Sequence, residues 1–237
     1  MSLFKIQRVN NLEKEFKDFK IVFESAFNMD YSFEFFKWKY LSKETKNSHL
    51  LRISVDNKIV GYRGLWNINS INSDSYQCID TCIHKDFKGV GLFKKSNEYI
   101  KNNYSSVYNL PNENSLPGYL KSGWKIQSNL IIIPGKIRKV YSFTQDFLKW
   151  RFLDKPNFKY YQVPHSSGGF DVYLKKKGFY FYLLTTDKEI NNISKKKFIL
   201  FHFSYSTRNN FIKIKETGKV LVMNKDVEIT PFNFDMF

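Results

Sequence analysis

Between His84 and Lys101 the sequence reads HKDFKGVGLFKKSNEYIK, placing Gly89 and Gly91 between a strand-like run, Tyr76 to His84, and a helix-like run, Gly91 to Asn102. Such a loop can hold a phosphate. The first amides of a helix lack partners within it, the helix dipole adds partial positive charge, and glycine lets an oxygen approach with no β-carbon in the way. Downstream, NENSLPGYLKSGW sets Asn112, Ser115, Tyr119, Gly123 and Trp124 at fixed intervals. A tyrosine of ordinary pKa, about 10, is protonated at neutral pH and can act as a general acid. On the preceding strand Asp80 shares parity with Cys78 and Cys82, which turns a carboxylate toward the buried side, either as a general base or as a paired structural charge.

The elements that must carry these residues form a mixed α/β succession. Leu3 to Val9 reads as a strand, and Leu12, Phe16, Phe19, Phe23 and Ala26 recur at helical spacing. Ser32 can cap a helix over Phe33 to Leu41. Strands are predicted over Leu50 to Val55 and Lys58 to Trp66, joined by a tight turn at Asp56-Asn57. After the glycine loop come a short strand, Ser106 to Leu110, a short helix, Asn114 to Lys121, and a strand, Lys125 to Pro134.

Past Pro134-Gly135 the pattern echoes itself. Phe36-Lys37-Trp38-Lys39-Tyr40-Leu41 recurs as Leu148-Lys149-Trp150-Arg151-Phe152-Leu153, displaced by 112 positions, and each copy precedes a pair of strands, the second pair being Lys159 to Pro164 and Phe170 to Lys175. This predicts a degenerate duplication, with domains at 1–135 and 136–237 and no glycine loop in the second copy. Further strands are expected over Phe179 to Thr185, Lys197 to Tyr205, Phe211 to Lys215 and Lys219 to Met223.

Composition narrows the function classes. A 42% hydrophobic chain of 237 residues can bury a substantial core. It lacks the long apolar run of a membrane span and the apolar centre of an export signal, so the expected location is the cytoplasm, with no membrane insertion. Cys78 and Cys82 lie four apart on one strand, too far for a disulfide, and with no His/Cys set at ligand spacing no metal is expected. Strict alternation puts both thiols on one buried face. The net charge of +16 is accounted for by lysine on solvated faces or by an anionic partner. Nucleic acid is disfavoured, since no zinc finger, helix-turn-helix or RNP-type motif is present.

Taken together, Lys88-Gly89-Val90-Gly91-Leu92-Phe93 and the later Asn112-x-x-Ser115-x-x-x-Tyr119-x-x-x-Gly123-Trp124 resemble the two motifs of the GNAT superfamily of acyl-CoA-dependent N-acyltransferases. Those motifs are Gln/Arg-x-x-Gly-x-Gly/Ala and Asn-x-x-Ala-x-x-x-Tyr-x-x-x-Gly-Phe. The match spans Leu50 to Trp124. It departs at Lys88, which keeps charge but loses the planar fork of arginine, at Ser115 for alanine, at Trp124 for phenylalanine, and at Phe93, where the family has a small residue. The resemblance implies a GNAT fold followed by a degenerate GNAT-like, sheet-rich C-terminal half that completes the acceptor site. It also implies an acyl-CoA co-substrate, with backbone amides of Lys88, Gly89, Val90, Gly91, Leu92 and Phe93 on the pyrophosphate. Main-chain groups of Thr81, Cys82 and Ile83 would pair with the pantetheine arm, helped by Asn112 and Ser115. Tyr119 would protonate the departing thiolate, Asp80 or Glu113 are the candidate bases, and His84 is expected to be structural. Phe93 is expected to turn into the core.

The basic charge opposes polycationic acceptors and favours an amine on something anionic. The motif variants and the two Trp-containing helices look most like GNAT enzymes of surface-polysaccharide synthesis, which implies a nucleotide-linked amino sugar, such as a dTDP-3-amino-3,6-dideoxyhexose, as acceptor. Acetyl or a slightly larger group such as 3-hydroxybutanoyl would be transferred. Trp38, Tyr40, Arg63 and Trp66 are the candidate acceptor contacts. Two other classes share these features: a protein, peptide or tRNA-linked acyl or aminoacyl transferase, and an inactive GNAT-like binding module. The strand-rich C-terminal half offers a surface for a homodimer.

Overall fold

The computed structural model describes residues 3–68, 75–136, 140–165, 168–199, 201–207, 213 and 215–226. In chain order the elements are β1 (Phe4–Arg8), α1 (Leu12–Phe27), α2 (Phe33–Phe36) widening into a π-helical turn (Lys37–Leu41), β2 (His49–Val55), β3 (Lys58–Trp66), β4 (Tyr76–Ile83), α3 (Leu92–Asn103), β5 (Val107–Asn109), α4 (Leu116–Lys121) and β6 (Lys125–Pro134). They continue as β7 (Val140–Tyr141), α5 (Gln145–Phe152), β8 (Tyr160–Pro164), β9 (Phe170–Lys176), β10 (Phe179–Thr186), β11 (Ser194–Lys195), β12 (His202–Ser206) and β13 (Lys215–Met223). The strand expected over Phe211 to Lys215 falls mostly outside the described residues. No described helix is long and apolar enough to cross a membrane.

The chain divides into two compact units. The first takes Met1–Gln127 and, from far along the sequence, Val220–Val227; the second is built on Ser128–Lys219. The division therefore falls inside β6 rather than after Gly135, and the end of β13 returns to the first unit. There, strands β1 to β4 are antiparallel neighbours, β5 runs parallel to β4, and Leu221–Met223 of β13 pair antiparallel with Val107–Asn109 of β5. Asp56 and Asn57 both take positive φ, 48° and 63°, as the expected two-residue hairpin turn requires.

Two features of this sheet decide where chemistry can occur. Pairing between β4 and β5 is confined to Tyr76 with Val107 and Gln77 with Tyr108, so from Cys78 onward β4 presents a row of main-chain groups that β5 does not cover. Between the pairs Gly64–Ile79 and Tyr62–Cys82, the single residue Arg63 faces two residues of β4, Asp80 and Thr81. This is a β-bulge, and Asp80 adopts φ 46° within it. The extra residue shifts strand parity. Cys78 packs with Ile100 of α3, and Ile83 packs with Leu92 of the same helix, so Cys82 is turned to the opposite face. The expectation of two thiols on one face is thus corrected; both are buried and free.

The bulge is held from the α1 face. Asp80 accepts hydrogen bonds from the hydroxyls of Tyr31 (3.0 Å) and Tyr40 (2.8 Å) and forms an ion pair with the buried Lys39 ammonium (3.1 Å). Tyr31 and Tyr40 belong to an aromatic cluster with Phe19, Phe36 and Tyr62 that packs α1 and α2 against the sheet. A β-carbon at Gly64 would stand 2.2 Å from the Tyr40 hydroxyl and 2.8 Å from Ile79, so only glycine lets Tyr40 reach Asp80.

The second unit repeats much of this order. Thr144 caps α5 as Ser32 caps α2, each accepting from the amide three residues on. Trp150 and Arg151 are buried as Trp38 and Lys39 are. An antiparallel trio, β8 to β10, follows, with a register shift near Leu183 in its third strand and a parallel neighbour, β12. Among the described residues, no glycine loop and helix intervene between β10 and β12.

Two outcomes follow from the first unit's packing. Gly64→Ala overpacks the bulge, and we expect a loss of about 1–3 kcal/mol, read as a lower denaturant midpoint at unchanged slope. His49, bonded through Nδ1 to the Tyr104 hydroxyl at 2.9 Å, is pushed by burial, and by the Arg8 charge, from 6.5 down to about 4. The unfolded chain then binds the proton more readily, so this contribution is complete above pH 6.5 and is lost as pH falls toward 4. Thermal unfolding across that range should show the loss, and His49→Gln should flatten it.

Candidate functional site

The glycine loop is built by three short devices. His84 ends β4, and its Nδ1 accepts from the Asp86 amide at 3.4 Å to start a 3-10 turn over Lys85–Phe87, a structural use of the residue. Lys88 leaves that turn extended, and its ammonium donates to the Ala26 carbonyl at the end of α1 (3.0 Å). Gly89 and Gly91 then take φ 82° and 81°, and Gly91 caps α3 without any side-chain bond. The Gly91 carbonyl accepts from the Lys95 amide (3.1 Å) in the first bond of the helix, which leaves the amides of Leu92, Phe93 and Lys94 without helical acceptors. Among the described residues, and apart from the chain neighbours, nothing lies within 4 Å of where a β-carbon would stand at either glycine, so the loop is open on its approach side.

Two clefts meet at this loop. One, of about 570 Å³, is lined by Lys88, Gly89, Gly91, Leu92 and Lys121 among others. The other, of about 510 Å³, runs along Thr81, Cys82, Ile83, Asn112, Asn114 and Ser115. Ile83, Lys88, Phe93 and Gly118 border both. Every expected coenzyme contact therefore lies on one cleft wall or the other except Val90, which is 61% exposed. The Asn112 carboxamide oxygen accepts from the Ser115 amide at 2.9 Å and shapes the turn into α4.

Phe93 is half-buried: it packs against the core cluster around Tyr119, as expected, and also borders both clefts. It stands between α3 and α4 on the wall of both clefts, edge-on to Tyr119 with centroids 4.9 Å apart. A β-carbon at Gly118 would lie 3.0 Å from its ring, so the large residue in the loop is matched by an absent side chain on α4. Gly118 was not singled out in the sequence, and only this pairing explains it.

Tyr119 is buried, 2% exposed, behind that wall. Its hydroxyl accepts a hydrogen bond from the Arg63 guanidinium at 3.3 Å, and its ring lies against Phe93, which borders both clefts. Burial pushes the phenol above 10.0 while the Arg63 charge pulls the other way, so the proton is retained at neutral pH. Arg63 also donates to Ser96 of α3 (3.0 Å) and to the Cys78 sulfur (3.4 Å).

The proposed acceptor contacts are placed differently from expectation. Trp38, Tyr40, Arg63 and Trp66 are 5%, 2%, 0% and 1% exposed, and none borders either cleft. Trp38 packs between Phe35 and Trp66, the Trp66 indole N–H donates to the Lys39 carbonyl at 2.9 Å, and Tyr40 serves Asp80. They are committed to the core because α2 and its π-helical turn need that aromatic mass to seat on the sheet. Strand alternation with Leu65, a core residue on the α3 side, was the available signal that Arg63 faces Tyr119. Asp80, a candidate base, is occupied by one ammonium and two phenols. Among the described residues no cluster of His, Cys, Asp or Glu is arranged for a metal.

No family model and no curated protein matches this chain. Solved structures do. A protein of unknown function from Enterococcus faecalis, ascribed to the N-acyltransferases, superposes at TM-score 0.57 with 11% identity, over 94% of this chain and 72% of its own. A protein from Pyrococcus horikoshii ascribed to the acetyltransferases does so at 0.52 with 10% identity, over 94% and 90%. At such identities the likeness is one of architecture, and in architecture this chain is similar to the GNAT-type N-acyltransferases.

Proposed function

We propose that the chain transfers an acyl group from acyl-CoA to an amine, with the donor bound in the two clefts of the first unit. One observation carries the reading: an open helix N-terminus, an uncovered strand edge and a buried, protonated tyrosine converge on one wall. The amides at the start of α3 suit a pyrophosphate, and the uncovered edge of β4 suits the amide-bearing pantetheine arm, which would pair with it as an added strand does. Acyl-CoA supplies the thioester. At the bulge, Asp80 and Thr81 fall out of the β3 ladder, which leaves main-chain groups there to orient the carbonyl. Tyr119, packed behind Phe93 at the cleft wall, supplies the proton for the leaving sulfur. Asp80 is assigned to holding the bulge rather than to taking a proton. An acceptor amine with pKa near that of an α-amino group, about 8, is partly neutral already and needs only to be placed.

For the acceptor we favour an amine on an anionic carrier, a nucleotide-linked amino sugar such as the dTDP-3-amino-3,6-dideoxyhexose, with acetyl or a short hydroxyacyl group transferred. The charge of +16 supports an anion. The burial of the four aromatic and arginine candidates removes them as direct contacts, so the nucleotide must be recognised elsewhere.

Calorimetric titration should show acetyl-CoA binding, and the absence of heat at millimolar ligand would remove the transferase reading. Tyr119→Phe should lower kcat about 10²-fold with little change in binding. In a thermal-shift comparison of dTDP, UDP, tRNA and short peptides we expect stabilisation by a nucleotide; stabilisation by tRNA alone would transfer the proposal to a tRNA-linked acceptor.

A further inference from the structure

Two cations of the first unit are fully buried, Lys39 and Arg63. Lys39 is neutralised by Asp80. Arg63 is not neutralised: its hydrogen-bond partners are a serine hydroxyl, a thiol and a phenol, its Nε has no partner, and no described carboxylate pairs with it. Its guanidinium lies over both the Phe93 and the Tyr119 ring, 5.5 and 5.3 Å to the centroids. A buried charge without a counter-charge opposes folding, and an apolar residue of similar volume would fill the space without that cost. Its value must lie in a state of the protein in which a neighbour is negative. Two neighbours can become so, Cys78 and Tyr119. Neither lines a cleft, but the Tyr119 ring lies edge-on against Phe93, which borders both clefts.

We propose that Arg63 is a positioning residue for acyl transfer, holding the phenolate that Tyr119 becomes when it gives up its proton. This rests on the acyl-transfer reading above. The neutral amine forms an N–C bond to the acyl carbon, the C–S bond breaks with its electron pair passing to sulfur, and the Tyr119 O–H proton goes to that sulfur to give the free thiol. The phenolate pairs with the Arg63 guanidinium until the surplus proton on the new amide nitrogen is returned to it, through water, and the resting state is restored. Charge complementarity thus exists only during turnover, where it lowers the barrier.

The test is a double-mutant cycle with a spectroscopic arm. Arg63→Met should lower kcat about 10²-fold and leave KM for acetyl-CoA within about threefold. In the Tyr119→Phe background the same replacement should have little further effect, because Arg63 acts through Tyr119. Equal losses in both backgrounds would mark Arg63 as structural and overturn the proposal. Ultraviolet titration of tyrosinate, taken as wild type minus Tyr119→Phe, should show the Tyr119 component rise by about one pH unit or more in Arg63→Met. It should stay near the wild-type position in Arg63→Lys, which keeps the charge and carries the test if Arg63→Met does not fold. An unmoved component in Arg63→Met, or one displaced upward in Arg63→Lys, overturns the proposal. Should wild type fail to bind acetyl-CoA, the transferase reading falls, and the titration still decides separately whether Arg63 holds the phenolate.

Discussion

The first unit turns on one irregularity, the bulge that sets Asp80 and Thr81 against Arg63. Because two residues oppose one, β4 changes parity midway, and buried charges are sent to opposite faces of the sheet. On the α1 face the Asp80 carboxylate is gripped by Lys39, Tyr31 and Tyr40. On the α3 face Arg63 reaches Ser96, Cys78 and Tyr119. A residue held at positive φ without being glycine is costly, and it persists where the surroundings over-determine it. Here they do so through three donors to one carboxylate and a glycine, Gly64, that leaves room for them. The same irregularity frees main-chain groups at the cleft wall, so a packing device and a candidate site for carbonyl orientation coincide.

The loop and α4 show a second kind of dependence. Phe93 occupies a position where a small residue is expected, and the cleft survives because Gly118 gives way. Its ring meets Tyr119 edge-on, and Tyr119 meets Trp124 the same way at 5.0 Å, with the Trp124 indole fixed by Asn97. This chain of rings ties the orientation of Tyr119 to α3 and to the start of β6.

Much of this was legible in the sequence, and the reasons differ residue by residue. The glycine turn at Gly89 and Gly91 and the turn shaped by Asn112 are legible because such geometry is local, set by backbone rules within a few residues. The Asp56-Asn57 turn is legible for the same reason. The bulge is not: strand parity assumes a regular pleat, and nothing in Cys78-Ile79-Asp80-Thr81-Cys82 announces an extra residue, so the two cysteines were assigned one face and have two. Trp38, Tyr40 and Trp66 looked suited to stacking on a ligand, but aromatic residues serve cores equally well and the core claimed them. Phe93 packs against the core as its size suggests, and the absent side chain at Gly118 lets the same ring border the clefts. The boundary at 135 followed a Pro-Gly break, whereas the actual division depends on which strands close each sheet, a matter of long-range pairing that local composition does not encode.

Leu221–Met223 of β13 supply the strand beside β5, and Leu221 and Met223 lie in the same buried cluster as Tyr119 and Trp124. During synthesis from the N-terminus, α1 through α4 emerge long before that strand does. Until then the β5 edge is an unpaired template and part of the apolar surface around Tyr119 lacks its cover. The nascent chain must therefore hold a nearly complete first unit in waiting while the second is made, so Tyr119 is seated late, by residues translated close to the end of the described chain.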